Sequence, residues 1–185
     1  NKILLKNDMK LAKIELNNSN GGSIRCFVVK KDCSSYYRKN YITEINNLLK
    51  IEKKLKLDTN EPYIKFASNI DNIKKKLVKL IKKLKSKNKT IHVYGASTKG
   101  NTILQYCKIN STLIKYAADR NLEKDGLKTL GSNISIISEN KSRAMKPDYY
   151  LALPWHFKKE FIKREKKFMR YGGKFIFPLP KIEII

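Results

Sequence analysis

The run Ile91-His92-Val93-Tyr94-Gly95-Ala96-Ser97-Thr98-Lys99-Gly100-Asn101 constrains this chain more than any other segment. A short buried-strand pattern passes into a glycine turn and then, within two residues, into a helix start. That succession opens a βαβ unit and aims backbone N–H groups and the positive end of a helix beyond the strand. The alternation continues downstream. Candidate strands are Ile91–Tyr94, Leu113–Ala118, Ile134–Ile137, Tyr149–Leu153, Lys174–Phe177 and Ile182–Ile185, with helices near Lys99–Lys108 and Phe157–Tyr171. The expected fold of residues 90–185 is α/β: a Rossmann-like, mostly parallel sheet flanked by helices on both faces.

Upstream the pattern changes twice. Over residues 1–33 a short helical end (Ile3, Leu4, Leu5) precedes two strand-like runs, Leu11–Leu16 and Ile24–Val29, joined through Asn20-Gly21-Gly22. This predicts a β-hairpin. A helix stub and one hairpin bury too little apolar surface to stand as a domain, so the segment reads as the tail of one. Residues 34–89 form a helical connecting segment, with apolar positions at Ile42, Ile45, Leu48, Leu49 and Leu55, then at Ile70, Ile73, Leu77, Leu80, Ile81 and Leu84. Asp58 to Glu61 interrupts the two helices, and Pro62 suits a first turn. Lysines on the far face of the second helix read as solvated; a membrane-surface helix would carry aromatics on its apolar face.

With 185 residues the chain can make one ordinary domain with a proper core, or one domain plus an attached fragment of another, and a large multi-domain enzyme is excluded. Its formal charge of +25 invites a nucleic-acid reading. The kind of cation argues the other way. Only six of the 41 basic residues are arginine, whose planar fork a nucleic-acid groove favours, while asparagine and isoleucine abound as AT-rich codons would produce. A solvated basic surface that attracts anionic ligands is the simpler reading. Cys26, Cys33 and Cys107 are odd in number and lack CxxC spacing, so neither a disulfide framework nor a zinc knuckle is indicated. No apolar run approaches the roughly 20 residues of a membrane span, and residues 1–10 lack a secretory pattern, so the expected location is cytoplasmic.

Ligands of parallel α/β sheets bind outside the carboxyl ends of the strands, which brings three segments into consideration. In the first, Gly95 permits the turn and Gly100 permits close helix-to-strand packing. Ser97 stands where the second glycine of a GxGxxG loop would admit a dinucleotide's pyrophosphate, which weakens NAD binding. Ser97, Thr98 and Lys99 offer hydroxyls and a cation to a phosphate instead; a turn needed only for packing is the alternative. In the second, Asp119 ends a strand with Arg120 and Asn121 after it. It either accepts a ribose or sugar hydroxyl or caps the turn. In the third, Trp155 and His156 follow Pro154: the indole stacks on a ligand or seals the core, and the imidazole contacts a ligand or caps its helix. The candidate substrate-binding set is therefore Gly95, Ser97, Lys99, Asn101, Asp119, Arg120, Trp155 and His156. No catalytic residue is assigned. Ser97 is no nucleophile elbow, because Lys99 occupies the position of the second glycine, and Asn101-Thr102 after Gly100 excludes a Walker loop. Two histidines, one in a buried strand, argue against a histidine-rich metal centre.

Taken together, Tyr94-Gly95-Ala96-Ser97-Thr98-Lys99-Gly100-Asn101-Thr102, Ala118-Asp119-Arg120-Asn121 with Lys124 and Gly126, Lys146-Pro147-Asp148-Tyr149, Leu153-Pro154-Trp155-His156-Phe157 and Gly172-Gly173-Lys174-Phe175-Ile176-Phe177-Pro178-Leu179-Pro180 carry a resemblance. They resemble the carboxyl-terminal domain of S-adenosylmethionine-dependent sugar C-methyltransferases acting on nucleotide-linked keto-sugars. Asn20-Gly21-Gly22-Ser23-Ile24-Arg25 is similar to the segment closing that family's methyltransferase domain. Leu130, where the family often has proline, is a local departure. The resemblance implies a zinc-binding domain first, an S-adenosylmethionine-binding domain second and this Rossmann-like domain last, with a dTDP-type nucleotide-sugar between the last two. It also implies that proton abstraction beside the ketone, and attack of the enolate on the methyl donor, belong to residues upstream of Asn1. The expectation is thus a fragment contributing nucleotide-sugar binding, inactive alone. A basic non-catalytic module that binds RNA or a protein partner is the alternative.

Overall fold

The computed structural model describes residues 2–34 and 39–185. The expected helical segment's residues 35–38 lie outside the described residues. The chain forms two compact units, Asn1–Ala67 and Ser68–Ile185.

In the first unit, α1 (Lys2–Leu5) leads into the hairpin of β1 (Met9–Asn17) and β2 (Ser23–Lys30), which runs antiparallel with Met9 opposite Lys30 and Asn17 opposite Ser23. A register shift between Leu11 and Lys13 marks a bulge. The connection is a single 3-10 turn over Ser19–Gly21, with Asn20 in the left-handed region, rather than a tight two-residue turn. Ala12 and Ile14 are buried on β1. Two helices follow, α2 (Lys39–Lys54) and α3 (Glu61–Ser86).

The second unit begins within α3, whose Leu77, Ile81 and Leu84 are buried in its core. Its strands are β3 (Ile91–Tyr94), β4 (Tyr116–Asp119), β5 (Ser135–Ser138), β6 (Tyr149–Ala152), β7 (Lys174–Phe177) and β8 (Glu183–Ile184). They lie in the order β5-β4-β3-β6-β7-β8, all parallel except the last, which runs antiparallel to β7. The α/β expectation is met. Because successive side chains point to opposite faces, each buried strand feeds two cores. Val93, Ala117, Leu151 and Ile176 join α3 and Leu104 of α4 (Thr98–Tyr106) on one face. Tyr94, Ala118, Tyr150, Phe175 and Phe177 join Phe161 on the other. Those four-residue strands are apolar on both sides because helices cover both.

Several boundaries move for identifiable reasons. The expected helix Phe157–Tyr171 is three pieces: a 3-10 turn at Trp155–Phe157, α6 (Lys158–Arg164) and α7 (Lys166–Arg170), interrupted at Glu165. Leu113 and Ile114 meet the core from a turn, not from β4. A short helix without apolar periodicity, α5 (Glu139–Ala144), joins β5 to β6; Ser138 starts it by accepting the Lys141 N–H. Among the described residues, no helix is long and apolar enough to cross a membrane.

Candidate functional site

From β3 the chain leaves toward β4 and β5 on one side and later returns to β6 on the other. The seam between β3 and β6 is therefore a topological switch point, and the crevice beyond its carboxyl edge is where such folds bind ligands. The segments that follow β3, β4 and β6 end on this edge: Gly95 and Ser97 in the turn after β3, Lys99 and Asn101 in the first turns of α4 (Thr98–Tyr106), Asp119 and Arg120 at the end of β4, and Trp155 and His156 in the 3-10 turn after β6.

Two glycines bring the segments into contact. Gly95 has φ +86°, and a Cβ there would lie 2.8 Å from Pro154 Cγ and 2.9 Å from its Cδ. The turn and the close approach both require glycine. A Cβ on Gly100 would lie 2.7 Å from Leu153 Cδ1 and 2.9 Å from its Cβ, so the first turn of α4 rests on the end of β6. Ser97 is the N-cap of α4: its Oγ accepts the Gly100 N–H at 3.1 Å, which leaves the hydroxyl proton to donate outward.

Asp119 fastens the glycine loop. Its Oδ2 accepts the Ala96 N–H at 2.8 Å and pairs with Lys124 Nζ at 3.4 Å, while Oδ1 accepts the Asn121 N–H at 2.9 Å. Lys124 Nζ also donates to the Ala96 carbonyl at 3.0 Å. A carboxylate offers about four acceptor positions, so one on Oδ1 remains after these three. Of the two roles weighed for Asp119, holding the turn is thus visible in the geometry. Lys124 belongs to the same clamp; the sequence signal for it was its place five residues after Asp119.

Lys99 and Arg120 are exposed at the rim. Trp155 packs, partly buried, against the second core and meets the His156 ring edge-on at 5.6 Å. Burial, and next the charge of Lys99, push the His156 pKa below its ordinary value, so its imidazole is neutral at physiological pH. Two side-chain atoms in this region are buried without a hydrogen-bond partner: Asn101 Oδ1 and His156 Nδ1. Leaving such a group unpaired costs about 1–3 kcal/mol, and native structures keep few of them outside functional places. Among the described residues, no group of three His, Cys, Asp or Glu side chains is disposed to hold a metal ion.

A groove of about 890 Å³ lies at the opposite sheet edge, between the segments Arg143–Asp148 and Arg164–Gly173. It suits an anionic ligand poorly. Both α5 and α7 end on it with their negative poles, and its Arg143 is committed to Glu139 and Glu165. The carboxyl edge is the better site on chemistry.

The family model described as the C-methyltransferase C-terminal domain matches residues 18–180. The chain belongs to this family. It is also 28% identical over 177 residues to the C-methyltransferase NovU of Streptomyces niveus, an alignment covering 96% of this chain and 41% of that protein. The chain thus spans less than half the length of that relative. The matched region takes in the hairpin turn, all of β2 and the sheet through β7, so the three loops of the crevice all lie inside the family domain.

Missed by sequence reasoning is a charge network that ties the end of β3 to the groove at the opposite edge. Tyr94, the last residue before Gly95, donates to Glu165 Oε1 at 2.7 Å and accepts from Arg164 Nη2 at 2.6 Å. Glu165 also accepts from Arg143. Burial opposes ionisation of Glu165, but its bonds from Arg143 and Tyr94 outweigh that and hold its pKa below the ordinary value. The only sequence signal was an acid at a position the helical pattern would bury.

Proposed function

We propose that this chain is the nucleotide-sugar-binding part of an S-adenosylmethionine-dependent sugar C-methyltransferase. The observation that carries the reading is the carboxyl edge of the β3–β6 switch point, with Lys99 and Arg120 exposed on the segments that follow β3 and β4 and with two buried polar atoms, Asn101 Oδ1 and His156 Nδ1, left without a partner. A diphosphate would meet the rim cations and the Ser97 hydroxyl, and a hydroxyl of the ligand the remaining position on Asp119. The ligand proposed is a dTDP-type keto-deoxysugar nucleotide.

The methyl donor does not fit this crevice. Its sulfonium is a cation, and Lys99, Arg120 and Lys124 would repel it. S-adenosylmethionine supplies the methyl group from a binding domain in the upstream part of the parent protein, where the proton-abstracting groups and the zinc site implied by the resemblance also belong. Residues 1–33 are the tail of that domain in this reading, residues 34–89 the connection and residues 90–185 the nucleotide-sugar domain. The isolated chain is inactive in methyl transfer and works in the cytoplasm.

Titration of the chain with dTDP-glucose and with single-stranded RNA at physiological salt tests the reading. Saturable dTDP-glucose binding, weakened about tenfold or more in Lys99→Ala/Arg120→Ala, is the expected result. Steeply salt-dependent RNA binding with no saturation by dTDP-glucose would instead support a basic RNA-binding module. Asp119→Ala is less informative, because it also releases the glycine loop.

A further inference from the structure

The two unpartnered atoms say which part of a ligand lies beside them. Asn101 Oδ1 is an amide carbonyl oxygen and can only accept a hydrogen bond, and a phosphate at neutral pH offers acceptors alone. Phosphate therefore cannot satisfy Asn101 through this oxygen. His156 Nδ1, on a neutral ring, pairs with either a donor or an acceptor. The two residues lie on elements that touch: Asn101 adjoins Gly100, which abuts Leu153, and His156 follows Pro154, which abuts Gly95. The side chains of Lys99 and Arg120 are exposed at the rim.

We infer that Asn101 and His156 form a neutral subsite that reads hydrogen-bond donors of the ligand, hydroxyl or imide N–H groups, and takes no part in holding its phosphates. This rests on the crevice being the nucleotide-sugar site and deepens that reading by dividing the crevice in two. Phosphate at the rim supplies attraction common to all nucleotides. Donors at Asn101 and His156 supply selection among them.

The test compares the chain with Asn101→Leu and His156→Phe, each close in shape to the residue replaced, by titration with pyrophosphate, dTDP and dTDP-glucose. The expected result is that pyrophosphate affinity stays within twofold while dTDP-glucose affinity falls about tenfold in either variant. A matching fall for dTDP places the donor on the nucleoside; a fall confined to dTDP-glucose places it on the hexose. Thermal melting of the free variants supplies a second readout. Asn101→Leu removes an unpaired buried oxygen, so its Tm is expected to hold or rise, whereas a residue with a structural role would lower it. Equal weakening toward all three probes, or none toward any, overturns the subsite. If the unaltered chain binds none of the three, the crevice reading itself falls and the subsite with it.

Discussion

At position 95 two independent constraints fall on one residue: a backbone φ of +86° and the ring of Pro154 within 3 Å of where a Cβ would sit. Alanine there would meet both, adding left-handed strain of about 1–2 kcal/mol to an overpacking cost of about 1–3 kcal/mol. Gly95→Ala is expected to lower stability to urea by about 2–5 kcal/mol and to displace the turn carrying Trp155 and His156. Gly100→Ala should cost less, because helix propensity returns about 1 kcal/mol. These glycine roles were legible in the sequence, since strand-glycine-helix spacing dictates them. The commitment of Asp119 was not, because a carboxylate that ends a strand looks the same whether it awaits a ribose or holds the neighbouring loop. His92 gives a pH-dependent prediction at the same scale. Burial lowers its pKa from 6.5 to about 4, and its Nδ1 lies 2.8 Å from the Ser142 hydroxyl. The unfolded chain therefore takes up a proton first as pH falls. The contribution is fully present above about pH 6.5 and is lost toward pH 4, amounting to about 3 kcal/mol. Urea unfolding at pH 7 and pH 4.5 should show a smaller acid loss in His92→Gln than in the unaltered chain.

Among the elements, the break between α6 and α7 illustrates what an amphipathic pattern cannot convey. Phe161, Ile162, Phe168 and Met169 keep helical spacing on both sides of Glu165, so a continuous helix was the natural expectation. The buried carboxylate exists because Arg143, on α5 and 22 residues earlier, reaches it, and Tyr94 of β3 donates to it as well. Neither α5, six residues with no apolar period, nor this pairing leaves a mark on local periodicity. Removing one member of a buried ion pair strands the others and costs about 3–5 kcal/mol. Glu165→Ala is expected to fall in that range by chemical denaturation. Tyr94→Phe, which deletes a single hydroxyl, should cost nearer 1–2 kcal/mol. If the two variants destabilise equally, the network is not organised around Glu165. By contrast, the order of the strands was readable throughout, because each strand of the interior sheet is a short, largely apolar run bounded by glycine, proline or polar turns.

For the molecule as a whole, the pattern of the chain and its compaction divide it at different places. Composition and periodicity change near residue 90, where lysine-rich helix gives way to βαβ alternation, and a boundary at 89/90 follows from that alone. The compact unit instead begins at Ser68, because the last turns of α3 are part of the sheet's covering layer. Leu77 and Ile81 are fully buried there, and Leu84 is 8% exposed. Burying a leucine or isoleucine side chain is worth about 1.5–3 kcal/mol, so losing three removes about 5–9 kcal/mol from a domain whose whole stability is about 5–15 kcal/mol. A fragment of residues 68–185 is therefore expected to melt cooperatively and to retain dTDP-glucose binding, since every crevice residue lies within it. A fragment of residues 90–185 should aggregate or melt without cooperativity, its first face opened to water along β3 and β6. Cooperative melting of both fragments with similar midpoints would mean that α3 merely rests on the sheet. Failure of the longer one alone to bind dTDP-glucose, with its fold intact, would place part of the ligand site upstream of Ser68.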